Sequence, residues 1–447
     1  MALTSEIVGR LLRLPVPAER DLLVLRDLQV PMDDGAVLLA DRYAPPGTTR
    51  APTVLVRTPY GRRGAFGLLF GRLVAERGLQ VVVQSVRGTF GSGGRFDPFD
   101  ERADGLATLR WLRAQPWHEG PVGTIGPSYM GIAQWAVADG LDALAVSVSA
   151  SQFRGMALGG GSISLDAALS WIYVLQVQER RIGPLLILRG VRRALPGIFD
   201  HLPIAELDER AFGAQVPYFR EWMEQMAPDS PYWSARDFSS SVGEVEAPVQ
   251  LVGGWQDIFL PWMVEDFRAL RAAGRRPQMI IGPWNHISRA MTGVSLRDGV
   301  AWLRAHLLGD ARMVREAAVR VYVTGERRWR ELPDWPPPGA RQHALYLGAG
   351  GALGESPPAA DAEPTRYRYD PADPTPALGG PLLLDTRPVV DNRPLEARAD
   401  VLTFTGAPLE AHLDALGPVH ADVYLRSSRE HTDLFVRVCD VHRTARR

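Results

Sequence analysis

Gly123–Trp135 reads GTIGPSYMGIAQW. The apolar run Val122 to Ile125 predicts a short strand, and Gly131 to Ala138 predicts a helix. Ser128 therefore falls on the turn between them. A hydroxyl in that position stands above the end of a sheet, beside the N–H groups that open the helix and their partial positive charge. Gly126 is small, as so sharp a turn requires. A serine at such a junction is also a common helix N-cap. The shorthand G-x-S-x-G is not met, because position 130 is Met and the glycine is Gly131. The rest of the chain has to decide between a nucleophile and a cap.

From about residue 22 to 150, β-branched runs alternate with helical ones. LQVPMDDGAVLLADRYAP predicts a hairpin turning at Asp33-Asp34-Gly35. TVLVRTPYG predicts a buried strand, Thr53 to Arg57. FGLLFGRLVAERG predicts a helix closed by Gly78, and LQVVVQSVRG a second buried strand. ERADGLATLRWLRAQPW has Leu106, Leu109 and Leu112 at helical spacing. ALAVSVSAS follows the serine segment as another apolar strand. Strands alternating with helices imply a parallel sheet covered on both faces. From about 152 to 243 the chain turns helical, and the alternation resumes with the strands APVQLVGGWQD and PQMIIGPWNH. Beyond about residue 315, AVRVYVTG, HALYLG and TRYRYD, separated by Pro- and Gly-rich turns, predict an all-β domain. The expected division is a core at 1–150 and 244–312, a helical cap at 151–243 and a β domain at 313–447.

Composition narrows the function. The chain has 447 residues and a net charge of −1, so no broad field draws nucleic acid or an anionic membrane. Its 50 basic residues are all arginine and are scattered along the sequence. Cys439 is the single cysteine, which excludes an internal disulfide framework and is expected to be a small buried hydrophobe. The glycine run from Gly88 to Gly94 lacks the G-K-[ST] ending of a phosphate loop. No His/Cys/Asp spacing argues for a metal, and no cofactor is expected. The N-terminal segment, interrupted by Arg10 and Arg13, does not read as a secretory signal, and no stretch has the roughly 20 apolar residues of a membrane span. The expectation is a cytoplasmic protein acting on a small molecule, without nucleic acid or membrane partners. A homodimer is left open.

A serine hydroxyl needs a base beside it, and the base needs a carboxylate to fix its tautomer. In a sheet of this kind the acid and the histidine should follow the serine in chain order, each at the C-terminal end of a strand. Asp257 follows VQLVGGW, and His286 follows QMIIGPW. The oxyanion of the tetrahedral intermediate needs donors. The N–H of Tyr129, just after the serine, is one candidate. The phenolic O–H of Tyr60, in the loop RTPYGRRG, is the other.

VPMDDGAVLLADRYAP, VRTPYG, QSVRGTFGSGGRF, GPSYMG, GGWQDIF and GPWNH, in this order, resemble the cocaine esterase-like hydrolases. That group also holds α-amino-acid ester hydrolases, glutaryl acylases and X-Pro dipeptidyl-peptidases. The family's nucleophile motif is G-x-S-Y-x-G, which GPSYMG satisfies. The resemblance implies an α/β-hydrolase core, an inserted helical cap and a C-terminal jelly-roll-like β domain. It implies Ser128, Asp257 and His286 as a triad, with Tyr60 and Tyr129 at the oxyanion. It also implies a compact acyl pocket lined by aromatic residues, for which Trp171, Trp255 and Phe259 are the candidates. The expected activity is a serine hydrolase cleaving small-acyl esters, with amides left open. A peptidase or amino-ester hydrolase would need carboxylates such as Asp166 or Glu179 to bind a substrate ammonium. Family members run on beyond TDLFVRVCDV, so the β domain is expected to be incomplete, and a non-catalytic homologue is the reading from another class.

Overall fold

The structure is a computed structural model, described for all residues except 1, 181–182, 184–186, 188–194, 385–386, 388 and 442–447. The tail HRTARR thus lies outside the described residues. The chain forms two compact units, one made of Met1–Pro333 and Glu363–Thr403, the other of Asp334–Ala362 and Phe404–Arg447.

The first unit is built on one ten-stranded sheet. Its strands are β1 (Leu23–Pro31), β2 (Val37–Ala44), β3 (Ala51–Thr58), β4 (Gln80–Ser85), β5 (His118–Pro127), β6 (Ala143–Ser147), β7 (Val249–Gln256), β8 (Gln278–Asn285), β9 (Val319–Val323) and β10 (Arg328–Leu332). Their order is β1-β2-β4-β3-β5-β6-β7-β8-β9-β10. The run from β4 through β9 is parallel, and antiparallel strands close both edges. β4 and β6 are buried along their whole length, as their uninterrupted apolar runs require of strands covered on both faces. One covering helix, Arg289–Leu308, lays Leu296, Val300 and Leu303 on the sheet. This is an α/β-hydrolase fold.

The sequence places the sheet's end at residue 312, but β9 carries it further. Val319 pairs with Met279 of β8, and the Val319 and Val321 side chains are fully buried. AVRVYVTG, read as part of a separate β domain, is thus a strand of the main sheet. An apolar alternating run completes whichever sheet edge offers it backbone partners and a buried face. Between β6 and β7 lie only helices and turns among the described residues, including Leu165–Val177, Leu207–Phe212 and Pro217–Glu224.

In the second unit, the two-residue strands Tyr346–Leu347 and Leu353–Gly354 pair antiparallel, and Ala352 bridges Thr405. HALYLG is therefore a strand in part. TRYRYD, which belongs to the first unit, and TDLFVRVCDV, in the second, carry no strand. Neither pairs with a neighbouring strand among the described residues, and a β-strand is defined by such a ladder. Cys439 is exposed, not buried, for the same reason: it lies on a segment that packs into no core.

A buried acid joins the cap's entry to the core. Asp266, on the helix Leu260–Ala272, accepts hydrogen bonds from the Ser151 amide at 2.8 Å and the Ser151 hydroxyl at 2.5 Å. Burial pushes its carboxyl from the ordinary 3.8 up to about 7, against the opposing effect of those hydrogen bonds. Between these values the folded state holds a proton that the unfolded state has lost. The residue's contribution to stability is therefore greatest near pH 4 and is lost as the pH rises through about 7. Asp266→Asn should flatten this dependence. Urea unfolding at several pH values should show the variant gaining stability relative to the wild type as the pH rises from about 4 to about 7.

Candidate active site

The parallel strands bring three loops together at their C-terminal ends. Ser128 follows β5 and opens the helix Tyr129–Trp135 with φ 57° and ψ −127°. That conformation is strained for a residue with a side chain, and the surroundings impose it. The Ser128 amide donates to the Ser147 carbonyl at 2.9 Å, extending the β5–β6 ladder to the turn itself. Two close approaches demand the flanking glycines. A Cβ on Gly126 would lie 2.6 Å from Met130 Cβ, and one on Gly131 would lie 2.5 Å from Ser149 Cβ. The packing of strand, turn and helix thus accounts for the pattern G-x-S-x-x-G.

His286 Nε2 lies 3.0 Å from Ser128 Oγ, and His286 Nδ1 lies 2.7 Å from Asp257 Oδ2. The other Asp257 oxygen accepts the Phe259 amide at 2.9 Å. Asp257 and His286 are 2% and 8% exposed, so this relay is almost wholly shielded from water. The carboxylate orients the imidazole so that Nε2 faces the serine hydroxyl.

Tyr129 and Tyr60 are the two donor candidates near Ser128. The N–H of Tyr129 is the first of its helix, where no earlier helical carbonyl exists to accept it. The Tyr60 hydroxyl accepts from Trp171 Nε1 at 3.0 Å. The indole occupies an acceptor site of the phenol and leaves its proton available for donation. Burial pushes Tyr60 up to about 12, against the lowering effect of the Trp171 and Ser128 side chains, so it stays protonated at neutral pH.

The loop that carries Tyr60 is gripped from two sides. The cap's Gln178 Nε2 donates to the Pro59 carbonyl at 2.9 Å. On the other side, fully buried Asp41 of β2 accepts Arg63 Nε at 2.9 Å and Arg62 Nε at 3.3 Å. Burial pushes the Asp41 carboxyl up, but Arg63, the Asp27 amide and Arg26 outweigh it and hold the group ionised. The Tyr129 side chain is anchored too. Its hydroxyl donates to the buried Glu101, whose other oxygen lies 2.7 Å from Arg57 Nη1. Burial raises the Glu101 carboxyl, and Arg57 opposes that.

Ser128 opens onto an apolar pocket with about 410 Å³ of empty space, its mouth included. Trp171 and Phe259 line it, as the sequence predicts. Trp255 does not. Its indole donates to the Tyr322 carbonyl of β9 at 2.7 Å, because an irregularity in the β7–β8 register between Gly254 and Gln256 interrupts the regular alternation there. Phe99, Phe153, Met156 and Leu383 also line the pocket, and no periodicity in the sequence marked them. Phe99 has φ 70°, and its ring stacks on Phe153 at 3.8 Å and on Trp171 at 5.5 Å. Glu179 is exposed and accepts the Phe90 amide, and Asp166 sits beside Ser170; neither lines the pocket.

The profile of the X-Pro dipeptidyl-peptidase (S15 family) matches residues 34–288, more than half of the chain. The chain belongs to the S15 family. The profile of the X-Pro dipeptidyl-peptidase C-terminal non-catalytic domain matches residues 312–447. Cocaine esterase of Rhodococcus sp. (strain MB1 Bresler) is 30% identical over 94% of this chain and 80% of its own length. These matches make the chain a serine hydrolase, an esterase or a peptidase. The aminopeptidase from a marine sediment archaeon, Thaumarchaeota archaeon, superposes with a TM-score of 0.66 at 22% identity, covering 87% of this chain and 73% of that one. An α-amino acid ester hydrolase superposes at 0.64 and 22%, covering 89% and 74%. At that identity the two structures speak to the S15 chain's fold alone. No helix among the described residues is long and apolar enough to cross a membrane.

Tyr60→Phe removes the phenolic donor and should lower kcat for p-nitrophenyl butyrate by about 10²–10³-fold. Trp171→Phe keeps an aromatic ring in the pocket but loses the indole N–H. A drop of about tenfold in kcat is expected, the equivalent of one ordinary hydrogen bond. Steady-state kinetics of the two variants test both values, and unchanged rates would remove Tyr60 from the site's chemistry.

Proposed function

We propose that this chain is a carboxylic ester hydrolase that works through an acyl-serine and prefers esters with a compact, apolar acyl group. The observation that carries the reading is the hydrogen-bonded chain Asp257–His286–Ser128, standing at the mouth of an aromatic pocket.

In this reading Ser128 Oγ attacks the acyl carbon as His286 Nε2 takes its proton. Asp257 holds the imidazole through Nδ1 and stabilises the imidazolium that forms. The Tyr60 hydroxyl and the Tyr129 amide donate to the oxygen on which negative charge develops. A preorganised donor of this kind contributes about 2.7–4 kcal/mol to the transition state. The alcohol leaves with the proton from His286. Water, activated by the same imidazole, then releases the acid and restores Ser128.

The pocket favours an ester over a substrate bearing an ammonium group. Its described lining residues are apolar apart from the Ser128 and Tyr129 hydroxyls, and none carries a carboxylate. A free α-amine buried there would lose its hydration without a counter-charge. The related cocaine esterase, by its name, acts on an ester, in keeping with this reading.

Ser128→Ala should abolish labelling by a fluorophosphonate probe and lower hydrolysis of p-nitrophenyl butyrate by at least about 10⁴-fold. Labelling retained in the variant would transfer the role to another serine. A panel pairing phenylacetyl and benzoyl esters with X-Pro-p-nitroanilides tests the acyl preference. A kcat/KM higher for the anilides than for the esters would replace the esterase reading by a peptidase one.

A further inference from the structure

A second cavity lies at the opposite edge of the sheet from Ser128, towards the N-terminal ends of the parallel strands. It holds about 490 Å³ of empty space, mouth included. Gln250 of β7, Gln278 of β8 and Arg320 of β9 form one side. Arg297 and Asp298, on the helix Arg289–Leu308, and Arg315 face them. The proposed chemistry makes no use of any of these groups.

The charges do not cancel. Arg297 Nε pairs with Asp298 Oδ1 at 3.0 Å, which neutralises one guanidinium. Arg315 and Arg320 remain. Arg315 Nη1 and Arg320 Nε are buried and have no hydrogen-bond partner among the described residues. Arg315 is held in place by its backbone carbonyl, which accepts Gln278 Nε2 at 2.5 Å, while its Nη2 makes only a long contact of 3.4 Å to Gln278 Oε1. The Arg320 guanidinium lies over the Trp329 ring, 4.8 Å from the centroid, which fixes its plane. Burial lowers the Arg315 pKa, and the neighbouring Arg320 charge adds to that, against Asp298 and Glu331. Two guanidiniums placed side by side with donors unused repel each other unless something negative lies between them. Among the described residues Asp298 is the carboxylate that lines the cavity, and Arg297 already engages it; Glu331, across the β9–β10 ladder from Arg320, adds a counter-charge from outside the cavity.

We propose that this cavity binds a tetrahedral oxyanion, a phosphate or sulfate group carrying two negative charges. Its oxygens would accept from the buried, unused donors Arg315 Nη1 and Arg320 Nε. The guanidinium fork suits such oxygens well, and donors that come from separate elements can reach different oxygens of one tetrahedron. The Gln250 and Gln278 amides line the same space, their nitrogens donating to the Asp298 and Arg315 carbonyls. The group is either free inorganic anion or the end of a small phosphate ester whose remainder projects from the mouth.

The test uses the full chain. Calorimetric titration and thermal unfolding with inorganic phosphate, sulfate and phenyl phosphate are run at constant ionic strength, with chloride and succinate as controls. Phosphate at about 10 mM should raise Tm above the chloride control. Arg315→Gln and Arg320→Gln should each weaken phosphate binding by at least about tenfold while leaving hydrolysis of p-nitrophenyl butyrate unchanged. Phenyl phosphate bound more tightly than inorganic phosphate identifies an ester as the ligand; the reverse identifies the free ion. The wild-type titration decides the matter even if a variant fails to fold. No phosphate-specific stabilisation of the wild type overturns the proposal, as does equal stabilisation by succinate or binding that survives both substitutions.

Discussion

The turn at Ser128 is the constraint from which the candidate site follows. A side-chain-bearing residue at positive φ costs about 1–3 kcal/mol and persists only where its surroundings over-determine it. Here the sheet ladder runs up to the serine's own amide, and the helix starts on the next residue. Met130 and Ser149 pack so closely against Gly126 and Gly131 that neither glycine position has room for a side chain. One local geometry therefore does two things. It lifts the hydroxyl towards His286, and it starts the helix on the next residue, whose N–H has no earlier helical carbonyl to accept it. The histidine and the acid need only end neighbouring parallel strands, which β8 and β7 do.

Residues that end strands were legible in the sequence, because an apolar run closed by a polar residue marks where a buried strand emerges at the rim of its sheet. Ser128, Asp257 and His286 each stand at such a boundary, and the structure puts them within hydrogen-bond reach of one another. The pocket was far less legible. Phe99, Phe153 and Leu383 come from separate segments, and each looks like ordinary core in its own neighbourhood. Trp255 and Phe259 show why proximity to the acid does not suffice. They are four residues apart, yet Trp255 still lies on β7 and is tied to β9, whereas Phe259 lies beyond the strand at the start of the next helix and lines the pocket. The extent of the sheet was misread for a related reason. Strand propensity shows that Val319–Val323 is extended, but only the open edge of β8 determines which sheet it completes.

The cap is more than a lid over the pocket. Trp171 and Gln178 belong to one stretch of it, and both bond to the loop that carries Tyr60. Asp41 holds the far side of that loop from within the sheet. The loop is therefore a bridge with one footing on the sheet and the other on the helices between β6 and β7.

A swing of the helix Leu165–Val177 large enough to release a product would withdraw the indole from the phenol at the same moment. Turnover in such an architecture is subject to a trade-off. A looser cap hastens exchange with solvent but spends more time with its phenol misdirected, whereas a tighter one aligns the phenol at the expense of release. The rate would then peak at an intermediate stiffness, and cooling or warming the enzyme away from that point would slow it for opposite reasons.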